Sequence, residues 1–194
     1  FSAMKLIERD TGKFHMSADI GCHLFSTLPP FNIGNTVLGY GLGLASNAAI
    51  DPLFAKRTVT IMGDGGFWHN GLTSGIANSV FNKSDGILVI MNNGYTSATG
   101  AQNIPSSPHE PEAKMTGMSI EAALKGIGVN WIKRVTTYHV GEMSKTLKDA
   151  MSSSYNGLKV VIAESECQLE KQRRLRPVVS AALKAGKRVV RTRF

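Results

Sequence analysis

The chain has 194 residues, 42% hydrophobic and 19% charged, enough for one domain with a buried core. No apolar run reaches the roughly 18 residues of a membrane span, and two cysteines, Cys22 and Cys167, are too few for a disulfide scaffold or a four-thiolate iron–sulfur cluster. The net charge of +8 sits in the tail: residues 168–194 hold nine Lys or Arg and one Glu, against thirteen basic and thirteen acidic residues in 1–167.

The opening FSAMKLIERD lacks the basic start and apolar stretch of a secretory leader. It lacks an initiator Met, and the chain is expected to be a segment of a longer, cytoplasmic polypeptide. Phe1 to Arg9 reads as a helix stopped by Gly12, and Phe14 to Ala18 as a short strand leading into Asp19-Ile20-Gly21-Cys22. Gly39-Tyr40-Gly41-Leu42-Gly43 opens a small-residue helix running to about Leu53. Thr58 to Met62 is a continuous apolar, β-branched run, expected as a buried strand. After Gly63-Asp64-Gly65-Gly66, a helix is expected from about Asn70 to Phe81, because Leu72, Ile76 and Val80 recur every four residues.

Ile87 to Met91 is the next buried strand, ending in Asn92-Asn93-Gly94-Tyr95. A long polar, Pro-rich loop follows from Thr96 to Gly117, and loops of that length tend to be functional. Ser119 is placed to cap a helix reaching about Lys125. Trp131 to Val135 and Leu158 to Ala163 read as strands on either side of a helix lined by Met143, Leu147 and Met151. Pro177 is expected to start a last helix that Gly186 ends. Alternating strands and helices with apolar strands predict an α/β, three-layer sandwich with a mostly parallel sheet. The domain is expected over 1–167, with a basic helix and linker over 168–194. Such a basic tail fits nucleic acid, an acidic partner or a solvated linker helix. The body has no aromatic and basic interleaving, so nucleic acid is not the expected partner.

Ligands of open parallel sheets bind beyond the carboxyl ends of the strands, which directs attention to the turns after Met62 and Met91. Gly63 is expected to let the chain turn, and Asp64 to present a carboxylate. Gly65 and Gly66 would bring N–H groups close to an anion near a helix N-terminus. A carboxylate beside a phosphate needs a divalent cation between them, and magnesium takes such oxygen ligands. Asn93 offers an amide oxygen and Tyr95 a backbone carbonyl. Either turn alone is common; the pair, each directly after a buried strand, is more specific.

Gly-Asp-Gly, twenty-six residues and then Asn-Asn resembles the thiamine diphosphate motif of decarboxylases, transketolases and oxidoreductases. DIGCHLFSTLPPFN, GDGGFWHNGL and NNGYTSATGAQ resemble the cofactor-binding domain of the indolepyruvate:ferredoxin oxidoreductase α-subunit, from about Ser17 to Gln102. The resemblance implies Asp64, Asn93 and Tyr95 as magnesium ligands. It implies Gly21, Cys22, Gly39, Gly41, Gly63, Asp64, Gly65, Gly66, Asn93, Tyr95 and Thr96 around thiamine diphosphate, with Cys22 and His23 as candidate catalytic residues. Cys22 is alternatively a structural cysteine. Gly39 and Gly41 alternatively serve helix packing, and His23 and His69 alternatively serve as ordinary loop histidines. The implied reaction is oxidative decarboxylation of a 2-oxo acid, an arylpyruvate by family likeness, with electrons leaving through iron–sulfur clusters to ferredoxin and the acyl group passing to coenzyme A. The pyrimidine-binding domain and the clusters must lie elsewhere in the enzyme, so the chain alone is expected to be inactive. Ala98 departs from the Asn of pyruvate oxidoreductases before the Thr99-Gly100 pair, as in the indolepyruvate branch. Competing readings are a non-oxidative thiamine-dependent decarboxylase and a non-catalytic binding module.

Overall fold

The computed structural model describes residues 1–108 and 117–189. The last part of the polar loop, 109–116, and the chain beyond 189 lie outside the described residues.

Five strands form one sheet in the order β1-β2-β3-β7-β6: β1 (Met16–Ala18), β2 (Val59–Gly63), β3 (Ile87–Asn92), β7 (Lys159–Glu164) and β6 (Trp131–Thr136). Every pairing is parallel. Side chains alternate across the pleat and fill two cores. Val59, Ile61, Ile87, Val89 and Val161 face one layer; Met62, Leu88, Ile90, Val160 and Ile162 face the other. This explains the unbroken apolar runs, since a strand covered on both faces has no polar side. Each fully buried Leu or Ile contributes roughly 1.5–3 kcal/mol.

Helices α1 (Ser2–Thr11) and α6 (Val140–Ser152) cover the first face. The second is covered by α2 (Gly43–Ile50), α5 (Ile120–Ile127) and a continuous helix over 64–81. That helix runs through α3 (Asp64–Gly66), a π-helical stretch (Phe67–Ala77) and α4 (Asn78–Phe81). The steps β1 to β2 to β3 cross on one face and the reversed step β6 to β7 crosses on the other, as right-handed crossovers require. Ser119 caps α5 by accepting from Ala122 N–H, and Gly128 closes it in the left-handed conformation.

Two boundaries differ from the sequence reading. The helix expected from Asn70 starts at Asp64, so the Gly-Asp-Gly-Gly run is strand end and first helical turn rather than loop. Gly63 itself is extended, with φ −77°. The glycines pay in propensity, about 1 kcal/mol each inside a helix, but a side chain would not fit there. A Cβ on Gly66 would overlap Asp19 Oδ2, one on Gly71 the Met62 sulfur, and one on Gly75 would lie 3.0 Å from Leu44 Cβ. The last helix, α7 (Gln168–Lys184), starts nine residues before Pro177, which lies inside it. Its start is set by Cys167, whose Sγ accepts from Glu170 N–H at 3.5 Å. The long loop also contains a small hairpin, β4 (Tyr95–Thr96) with β5 (Gln102–Asn103). No helix among the described residues is long and apolar enough to cross a membrane.

Candidate functional site

The register of β2 and β3 pairs Gly63 with Met91, so the two turns leave the same sheet edge side by side. Asp64, the first residue of the 64–81 helix, is 1% exposed. Its Oδ2 accepts from the N–H groups of Asn93 (2.8 Å) and Gly94 (2.6 Å), and its Oδ1 from Gly65 N–H (2.9 Å). Burial pushes the Asp64 carboxyl up to about 6, although these three backbone donors pull it down. Among the described residues no Lys or Arg pairs with it.

Asn93 Oδ1 accepts from Tyr95 N–H and from the Ser97 hydroxyl, both at 3.1 Å. The same hydroxyl lies 3.4 Å from the Tyr95 carbonyl oxygen and 3.2 Å from Cys167 Sγ. Gly94 makes this turn with φ +82°, where a side chain is strained. Ser107 braces it by donating to the Gly94 carbonyl at 2.5 Å. The Asn93 amide and the Tyr95 carbonyl thus belong to one small turn held against the Asp64 carboxylate.

At the end of β1, Asp19 is fully buried, and both its oxygens accept from Gly41 N–H at 2.8 and 2.9 Å. Burial raises its carboxyl to about 6, against backbone hydrogen bonds from Ile20, Gly41 and Leu42. A short 3₁₀ turn, Cys22–Thr27, follows. Cys22 is exposed, which removes the buried structural reading, while His23 is buried.

A cavity of ≈ 210 Å³ is lined by Gly21, Cys22, His23, Asp64, Asn93 and Tyr95, with Gly63, Gly65, Gly66 and Thr96 also on its wall. Ten of the sequence-derived candidates therefore meet there. Gly39 and Gly41 do not line it; Tyr40 between them does. A Cβ on Gly41, at φ +80°, would come within 2.7 Å of the Gly66 carbonyl, so this glycine lets the loop lie against the helix. His69 lines an adjoining cavity of ≈ 300 Å³ with Tyr40 and Trp68 instead.

Sequence reasoning missed four residues. Asp19 precedes Gly21 by two positions, but nothing in a sequence shows that a carboxylate will be buried. Tyr40 hydrogen-bonds Thr96 Oγ1 at 3.2 Å, and its hydroxyl is pushed up by burial and by the Asp19 and Asp64 charges, against the Thr96 bond. Ser97 and Cys167 tie the Asn93 turn to α7, a contact spanning seventy residues of sequence.

The donor set fits a hard divalent cation: one carboxylate, one amide oxygen and one backbone carbonyl. It is not a His/Cys/carboxylate cluster, and no group of three such side chains able to hold a metal exists among the described residues. The glycine cradle fits a close-lying anion. A Cβ on Gly65 would overlap the Tyr40 and Thr96 hydroxyls, and a buried polar atom, His23 Nε2, has no partner among the described residues.

The fold is that of the cofactor-binding domains of thiamine-dependent enzymes. Residues 10–163 match the family described as thiamine pyrophosphate enzyme, C-terminal TPP binding domain, and the chain belongs to that family. It is 29% identical over 173 residues to indolepyruvate oxidoreductase subunit IorA of Pyrococcus horikoshii, covering 82% of this chain and 26% of that protein. The corresponding subunit of Archaeoglobus fulgidus is 26% identical over 170 residues, covering 87% and 27%. The chain thus spans about a quarter of the length of these relatives. Among solved structures, a 2-oxoglutarate:ferredoxin oxidoreductase from Magnetococcus marinus shares the fold with a TM-score of 0.74 at 19% identity, covering 86% of this chain and 60% of that one. A thiamine diphosphate-dependent 4-hydroxybenzoylformate decarboxylase from Rhodococcus jostii follows at 0.56 and 14%, covering 84% and 32%.

Proposed function

We propose that this chain binds the diphosphate end of thiamine diphosphate through Mg²⁺ within a 2-oxoacid:ferredoxin oxidoreductase acting on an arylpyruvate such as indolepyruvate. The observation that carries this reading is Asp64: a buried carboxylate, raised to about 6 with no cationic side chain beside it among the described residues, held against the Asn93–Tyr95 turn. Asp64, Asn93 Oδ1 and the Tyr95 carbonyl hold the metal. Gly63, Gly65, Gly66 and Thr96 would hold the diphosphate, and Gly21 and Cys22 would lie beside the thiazolium ring, while Gly39 and Gly41 would act on the cofactor only through Tyr40, which lies between them and lines the cavity. When bound, the cofactor supplies the electron sink that loss of carbon dioxide from a 2-oxo acid requires. The chain's own part is to hold the metal that would neutralise the diphosphate, and to orient that group and keep water from it.

The remaining parts of the reaction lie in other segments: a pyrimidine-binding domain, iron–sulfur clusters, ferredoxin as electron acceptor and coenzyme A as acyl acceptor. The enzyme is cytoplasmic in this reading, and 168–194 links toward a neighbouring domain. Relatives named as indolepyruvate oxidoreductase subunits support the oxidative reading over simple decarboxylation. Calorimetric titration of the intact enzyme with thiamine diphosphate and Mg²⁺ tests it. Saturable binding that requires Mg²⁺ is expected, and Asp64→Ala is expected to lose it; binding indifferent to both would refute the assignment.

A further inference from the structure

The imidazole of His23 is 3% exposed and lines the same cavity as Asp64 and Asn93. Two glycine backbones make room for it: a Cβ on Gly21 would lie 2.7 Å from its Cε1, and one on Gly63 3.7 Å away. Among the described residues its Nε2 is buried and has no hydrogen-bond partner. A desolvated polar atom without a partner costs folding free energy, and native proteins keep few of them. Of the unpartnered atoms among the described residues, the one on His23 belongs to a residue that lines this cavity.

Resting on the thiamine diphosphate reading above, we infer that His23 contacts the bound ligand, its Nε2 accepting from an N–H or O–H group of that ligand. Burial lowers the imidazole to about 4, against a hydrogen bond to the Asp19 backbone, so the ring is uncharged at neutral pH. That backbone bond favours the proton on the nitrogen facing Asp19, which leaves Nε2 bare. A fully ionised diphosphate has no proton to donate. The donor would therefore be an amino group of the cofactor or an O–H group of the reacting substrate.

The test uses the intact enzyme with His23→Phe, which keeps a ring and removes the acceptor, and His23→Gln, which keeps an acceptor. Three quantities are compared: the unliganded melting temperature, the affinity for thiamine diphosphate with Mg²⁺, and kcat and KM for the 2-oxo acid at saturating cofactor. His23→Phe is expected to melt no lower than wild type without ligand, because a buried orphan is removed. One lost hydrogen bond then appears as a roughly three- to tenfold loss. In cofactor affinity it places the donor on the cofactor; in kcat with KM unchanged it places the donor on the reacting substrate. His23→Gln is expected to recover part of either loss. Unchanged affinity and kcat in His23→Phe would overturn the inference, as would a loss matched by an equal fall in unliganded stability, which marks a packing role. Wild-type enzyme that fails to bind the cofactor would overturn the underlying reading and this inference with it.

Discussion

Where the strands begin, Asp85 meets the side chains of Lys159 and Arg57; where they end, Asp19 and Asp64 meet backbone N–H groups. Lys159 is fully buried, bonded to Asp85 and to the Gly157 carbonyl at 2.8 Å, and Arg57 reaches Asp85 at 2.8 Å and the carbonyls that end α6. Burial raises the Asp85 carboxyl, but the Lys159 and Arg57 hydrogen bonds outweigh it and hold the group below its ordinary value. Asp19 and Asp64 stand at about 6. The first end is complete as it stands. The second buries two carboxylates that, among the described residues, pair with no Lys or Arg, and a buried carboxylate favours a cation beside it.

The contrast breaks most visibly under substitution. Asp64→Ala is expected to weaken Mg²⁺-dependent cofactor binding by at least the roughly 100-fold seen when outer-shell partners of a metal are lost. Lys159→Met, at the other end, should leave that binding unchanged and lower stability by about 1–3 kcal/mol in urea denaturation, because the Gly157 carbonyl and part of Asp85 lose their buried donor. Equal effects of both variants on both measurements would erase the distinction between the ends.

The two ends also differ in sign with pH. Asp64 has a folded pKa raised above the unfolded one, so in the unliganded protein its ionisation removes stability as pH rises from about 4 to about 6. Asp85, lowered, contributes stability above its unfolded pKa and loses it as pH falls through the folded one. A metal competes with the proton on Asp64. Apparent Mg²⁺ affinity, corrected for titration of the diphosphate itself, should therefore be level above about pH 6 and fall roughly tenfold per unit below it. An affinity level down to pH 4.5 would remove Asp64 from the metal site. A smaller effect belongs to Ser97. Ser97→Ala frees the Asn93 amide and the Tyr95 carbonyl from their shared hydroxyl and should weaken Mg²⁺ binding by about tenfold, with little change in unliganded melting.

The architecture was readable because its determinants are local. TVTIM and ILVIM are unbroken apolar runs with no polar face, and Leu72, Ile76 and Val80 share one side of their helix. The start of that helix was not readable. Gly-Asp-Gly-Gly has loop propensity, and it becomes helical where it packs against Asp19, Met62, Tyr40 and Thr96. At α7 the preference of Pro for the first helical turn misled: the helix starts at Cys167, and a thiol is not among the strong capping side chains. Within the site, Asp64, Asn93 and Tyr95 could be nominated because they sit at the ends of recognisable strands. Asp19 and the Ser97–Cys167 contact could not, since burial and long-range pairing are properties of the folded chain.

A crystal structure of the intact enzyme with thiamine diphosphate and Mg²⁺ addresses the metal site directly. The account predicts one ion at about 2.0–2.1 Å from an Asp64 carboxylate oxygen, Asn93 Oδ1 and the Tyr95 carbonyl, completed by diphosphate oxygens and water. An ion bound elsewhere, with Asn93 Oδ1 still turned onto Tyr95 N–H and Asp64 still bonded only to backbone donors, would contradict it.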